Sequence, residues 1–155
     1  VSYDEVKHVF ERASDALGKD LWSIVAQGPE AELNQTQNTQ PAMLAAGVAV
    51  WEVWCKRSTI RPDWMAGHSL GEYTALVCSG AMSFEDGIKL VAIRGQLMQE
   101  AVPAGVGAMA AILGLEDHQV VNICNQVAED EVVSAVNFNA PGECALSLCI
   151  DAISS

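Results

Sequence analysis

Apolar residues recur every three or four positions near the start of the chain. Tyr3, Val6, Val9, Phe10, Ala13 and Leu17 share one face, which predicts an amphipathic helix over residues 3–17 that Gly18 stops. Residues 27–40, QGPEAELNQTQNTQ, are polar and read as a short helix mixed with loop. The apolar stretch PAMLAAGVAVWEVWC reads as a buried helix, with Pro41 at its first position and Lys56 and Arg57 suiting its C-terminus. RPD then breaks the chain, and WMAG is long enough only for a short buried strand. A helix is expected from about Glu72 to Ser79. Ser83 and Asp86 form an S-x-x-D start for another that runs to about Ala101.

The pattern changes after the glycine-rich run Pro103–Gly107, which is placed as a domain boundary between residues 1–104 and 105–155. AMAAILG reads as a strand, 116–128 as a helix and EVVSAVNF as a strand. NAPGE follows as a hairpin turn and CALSLCI as a strand, with a second helix starting at DAISS. A β-α-β-β order is most of a ferredoxin-like unit.

Between WMAG and the next helix lies Gly67-His68-Ser69-Leu70-Gly71, a G-x-S-x-G pattern. In a nucleophile elbow the chain leaves a strand and enters a helix within a few residues, with the serine at the strained apex. The residues two before and two after approach closely, so both are expected to be glycine. The helix that follows aims its free N–H groups at the serine, and Leu70 N–H is the first oxyanion donor. A tight turn with a hydrogen-bonded serine is the competing interpretation.

A serine hydroxyl needs a base to become a nucleophile. The chain has three histidines. His68 adjoins Ser69, but neighbours in a sharp turn point their side chains apart. His8 lies in the first helix and His118 in the first turn of the 116–128 helix. None is a convincing base.

On the helix from Phe84, the helical period places Ile88, Leu90, Val91, Ala92, Leu97, Met98 and Ala101 on one arc, with Arg94 in its middle. An arginine among apolar residues is costly unless it meets an anion. A buried ion pair with another carboxylate and a fork for a substrate carboxylate both satisfy it, and periodicity alone favours the ion pair.

Composition narrows the class. Hydrophobic residues make up 50% and charged residues 18%, which excludes a disordered chain. Eight basic against 20 acidic residues give a net charge of −12, which removes the electrostatic footprint for nucleic acid or an anionic membrane. Five cysteines, an odd count without C-x-x-C, point to reduced thiols in a cytoplasmic protein and to neither a disulfide framework nor a zinc site. No signal-like segment opens the chain, and its most apolar run is interrupted by Glu52. The start on a helical pattern at Val1 and the end at DAISS point to a fragment.

AGHSLGEYTALVCSGA, GPEAELNQTQNTQPA, RGQLMQEAVPAGVGAMAAILGL and VNFNAPGE together resemble the malonyl-CoA:acyl carrier protein transacylase family of bacterial fatty-acid synthesis, in register along essentially the whole chain. The resemblance implies an α/β fold: part of an α/β-hydrolase-like large subdomain with a nucleophile elbow, plus part of a ferredoxin-like small one. It implies that Ser69 takes the malonyl group as an ester, that Leu70 supplies an oxyanion N–H, and that Arg94 pairs with the malonate carboxylate. Gln40 lies near the family's active site, and His68 of GHSLGE is grouped with Arg94 and Gln40 as substrate-binding. The acceptor would be the pantetheine thiol of acyl carrier protein, for which the cluster Lys56, Arg57 and Arg61 is a candidate docking patch. No metal or redox cofactor is implied, and a monomer is expected.

The family's N-terminal G-Q-G-S-Q loop and its general-base histidine match nothing in this sequence, so these residues alone are expected not to turn over. Leu148-Cys149 stands where the family usually has Gly-His, and nothing in the sequence explains the change. The alternatives are an acyltransferase domain of a polyketide or multienzyme fatty-acid synthase, a non-catalytic acyl-CoA or carrier-binding module, and, more weakly, a serine esterase.

Overall fold

In the computed structural model the described residues are 4–101, 106–128 and 131–149. They form two compact units, residues 1–100 and 101–155.

The first unit is helical: α1 (Asp4–Leu17), α2 (Leu21–Gln27), α3 (Glu30–Leu33), α4 (Thr36–Arg57), α5 (Leu70–Cys78) and α6 (Phe84–Ala101). The predicted stripe of α1 buries Val9, Phe10 and Ala13, and Gly18 ends the helix at φ 64°. These side chains meet Leu21 of α2, Leu44, Ala45, Val48 and Ala49 of α4, and Phe84, Ile88 and Val91 of α6. The pattern assigned nothing to α2, whose start is set by Asp20: its carboxylate accepts the Ser23 N–H at 2.9 Å.

Three expectations are corrected. Helix α4 begins at Thr36, and Pro41 lies buried inside it rather than at its first position. Side chains of the early turns hold this start: Asn38 Nδ2 donates to Glu32 O at 2.8 Å and Thr39 Oγ1 to Leu33 O at 2.5 Å. WMAG is not a buried strand. Trp64 is 91% exposed, and a strand exists only by pairing, which no described segment offers it. The arc on α6 is not buried as a whole either. Leu90, Leu97 and Met98 are exposed, and the buried stripe is Phe84, Gly87, Ile88, Val91 and Gly95. Phe84, Ile88 and Val91 join the hydrophobic core, and close approach of neighbouring chain accounts for the two glycines. A Cβ on Gly87 would lie 2.8 Å from Val77 Cγ2, and one on Gly95 2.5 Å from Thr36 O. The S-x-x-D start of α6 forms as expected, with Asp86 N–H donating to Ser83 Oγ at 3.1 Å.

The second unit contains β1 (Gly107–Leu113), α7 (Asp117–Val127), β2 (Val133–Ala140) and β3 (Glu143–Cys149). The sheet is antiparallel in the order β1-β3-β2. Reciprocal capping by Glu116 and Gln119 starts α7. The β2–β3 turn runs through Pro141 and Gly142, the latter at φ 76°. Val120, Cys124 and Cys144 form the core between helix and sheet. The β-α-β-β order matches the sequence pattern, whereas a helix at DAISS lies outside the described residues.

Candidate active site

Ser69 is the N-cap of α5 and has φ 53° and ψ −113°. Among the described residues it is the only one other than glycine with positive φ. L-residues seldom adopt this conformation, which costs about 1–3 kcal/mol where the surroundings impose it. They do impose it. The chain doubles back so tightly that a Cβ on Gly67 would lie 2.0 Å from Gly71 C and 2.6 Å from Glu72 N. The turn thus requires glycine at 67. Position 71 differs from the expectation, because a Cβ there meets nothing within 4 Å.

The backbone donors at the elbow divide cleanly. Gly71 N–H donates to His68 O at 2.8 Å and Glu72 N–H to Ser69 O at 3.3 Å. Leu70 N–H opens the helix and has no acceptor among the described backbone carbonyls. Ser69 itself is solvent-accessible.

Helix α6 brings Arg94 to the same point. Its Nη2 donates to Ser69 Oγ at 3.0 Å and its Nη1 to Gln40 Oε1 at 2.7 Å. Gln40 is buried, and its Nε2 donates to Met98 Sδ at 3.3 Å, which fixes which end of the amide faces Arg94. Among the described residues no carboxylate lies within ion-pair range of Arg94. The ion pair that periodicity favoured is therefore not formed among the described residues.

Ser69, Leu70, Gln40 and Arg94 thus converge. The His68 side chain is exposed, and its contribution is the carbonyl that accepts Gly71 N–H. His8 and His118 are also exposed, and no histidine hydrogen-bonds Ser69 among the described residues. Sequence reasoning missed Tyr73, whose ring lies under the Arg94 guanidinium at 5.6 Å. The available signal was its place one turn after Ser69.

Away from this site, Arg61 donates to Ser58 O, Ile60 O and Cys55 O and lies over Trp51. Lys56 pairs with Glu5 at 3.2 Å. Arg61 therefore holds the local turn after α4, and Lys56 ties α4 to α1. Burial pushes the Cys78 thiol up to about 11, which leaves it an inert thiol at neutral pH. Cys55, Cys78, Cys124 and Cys144 are unpaired. Among the described residues, no helix is long and apolar enough to cross a membrane, and no group of three or more His, Cys, Asp or Glu is placed to hold a metal ion.

An elbow serine, a helix-opening N–H beside it and an arginine with no carboxylate partner among the described residues thus lie together. The acyl transferase domain family model matches residues 3–155, and the chain belongs to that family. It is 57% identical over 146 residues to the malonyl CoA-acyl carrier protein transacylase of Haemophilus influenzae, and 53% identical over 146 residues to that of Escherichia coli K12. Each match covers 94% of this chain and 47% of the relative, so the chain spans about half the length of the curated relatives it matches. Among solved structures, an acyl carrier protein S-malonyltransferase from Vibrio cholerae is 54% identical with a TM-score of 0.89, over 99% of this chain and 50% of that one. A malonyl-transacylase in complex with a holo type II PKS acyl-carrier protein is 51% identical with a TM-score of 0.92, over 98% and 49%. The helical unit with its elbow and the small antiparallel sheet are thus part of the mixed α/β, two-subdomain architecture of these enzymes.

Proposed function

We propose that the protein carrying this chain transfers a malonyl group from malonyl-CoA to the pantetheine thiol of acyl carrier protein in fatty-acid biosynthesis. The observation that carries this reading is the 3.0 Å contact between Arg94 Nη2 and Ser69 Oγ. A guanidinium that close to the nucleophile suits an acyl group whose carboxylate lies one methylene beyond the reacting carbonyl. A longer diacid would overshoot it.

Ser69 Oγ attacks the thioester carbonyl, its proton passing to a base that the described residues do not supply. Leu70 N–H stabilises the oxyanion. The C–S bond breaks, CoA leaves as the thiol, and a malonyl-serine ester remains. The carrier's thiol attacks that ester and frees Ser69. Arg94, held by Gln40, exchanges its Ser69 contact for the substrate carboxylate in a bidentate pair. His68 serves through its backbone. The carrier-bound relative supports acyl carrier protein as acceptor. Docking near Lys56, Arg57 and Arg61 and a cytoplasmic location belong to the same reading, as do an α/β-hydrolase-like acyltransferase subdomain over 1–104 and a ferredoxin-like one over 105–155.

The test uses the full-length protein. Malonyl-CoA should acylate Ser69, seen as a malonyl mass increment on its peptide. Arg94→Ala should lower that rate about 100-fold while sparing acylation by acetyl-CoA. Failure of malonyl-CoA to label Ser69, or equal losses for both donors, overturns the reading.

A further inference from the structure

We propose that Tyr73 is a positioning residue for carboxylate recognition: its ring face, not its hydroxyl, holds the Arg94 guanidinium toward Ser69. The inference rests on the reading that Arg94 pairs with the free carboxylate of the acyl group.

Three groups hold Arg94: Gln40 Oε1 at 2.7 Å, Ser69 Oγ at 3.0 Å and the Tyr73 ring at 5.6 Å. The Ser69 contact has to be released when that hydroxyl attacks, so Gln40 and Tyr73 remain. Gln40 fixes one edge of the guanidinium in its plane. Tyr73 supports a face, which a hydrogen bond to the edge does not restrain. The ring is half-buried and packs against the helical core, so it is a rigid support. Its hydroxyl makes no hydrogen bond among the described residues, which leaves the ring face as the working part.

The chemistry explains an aromatic there. A carboxylate under Arg94 would hold it more strongly but would neutralise the charge the substrate needs. A ring quadrupole attracts the cation and leaves it unpaired. Two neutral groups, an amide and a ring, thus set the direction of a full positive charge.

The experiment measures Ser69 acylation by malonyl-CoA and acetyl-CoA in the full-length protein. Tyr73→Phe should keep the malonyl-to-acetyl ratio. Tyr73→Leu should lower it about three- to fivefold, through a raised KM for malonyl-CoA with kcat little changed. Replacing Tyr73 by phenylalanines of increasing fluorine content keeps the ring's shape while weakening and then inverting its quadrupole. The ratio should fall progressively along that series, which needs no change in packing. Equal losses for both donors in Tyr73→Leu, a loss in Tyr73→Phe as large as in Tyr73→Leu, or a flat fluorination series would overturn the proposal. A native protein that does not prefer malonyl-CoA would instead overturn the functional reading beneath it.

Discussion

A Cβ added to Gly67 would lie 2.0 Å from Gly71 C, while one added to Gly71 would meet open space. The two glycines look equivalent in G-x-S-x-G, yet only one is sterically required. Gly67→Ala should cost about 3 kcal/mol, because the contact is with backbone that cannot rotate away. Gly71→Ala sits inside a helix and should be neutral or stabilise by up to about 1 kcal/mol. Thermal melts of the two variants check this, and equal shifts would show that the elbow relaxes. The strain at Ser69, φ 53°, belongs to the same turn. Serine at the apex was legible as a motif; which glycine enforces it was not, since that depends on where Glu72 N and the Gly71 carbonyl return in space.

The junction of α1, α4 and α6 rests on Arg12. Its Nε and Nη2 donate to Glu85 Oε1 at 2.9 and 2.8 Å, its Nη1 to Glu52 at 3.2 Å, and its guanidinium lies 4.7 Å from the centre of the Phe84 ring. The Arg12 hydrogen bonds, helped by the Glu85 backbone N–H, hold the Glu85 carboxyl below its ordinary value of 4.5. A carboxyl depressed on folding stabilises the fold above its unfolded value, and that stability is lost as pH falls through the folded value. The helical unit should therefore lose stability as pH drops below about 4.5, and Arg12→Met should flatten that limb while costing about 1 kcal/mol at neutral pH. Denaturant melts across pH 3–7 read both; an unchanged acid limb in the variant would remove Glu85 from the account. No local pattern announces this cluster, because its partners are 40 and 73 residues apart. Helix positions, by contrast, were legible wherever an apolar stripe or a cap was local, as in α1, α6 and α7. They slipped where tertiary bonds extend a helix, as at Thr36–Gln40.

At the level of the whole molecule, the described residues hold an elbow serine, the helix-opening Leu70 N–H and Arg94 bonded to Ser69 and Gln40, but no histidine bonded to Ser69. The isolated 155-residue chain, incubated with malonyl-CoA and carrier protein, should therefore give no repeated turnover; multiple turnovers would place a base among these residues. Local order sufficed to reveal most helices, the β-α-β-β order and the G-x-S-x-G turn, because hydrophobic period, caps and turn glycines act between neighbours in sequence. Arg94 shows where that reach ends. Periodicity placed it on an apolar arc and favoured a protein carboxylate as its partner. Packing of α4 and α6 at Gly95 instead sets it between Gln40 and Ser69, 54 and 25 residues away, with Tyr73 beneath it. Only the tertiary structure decides what a half-buried charge faces, because that partner is chosen by helix approach in space and not by spacing along the chain.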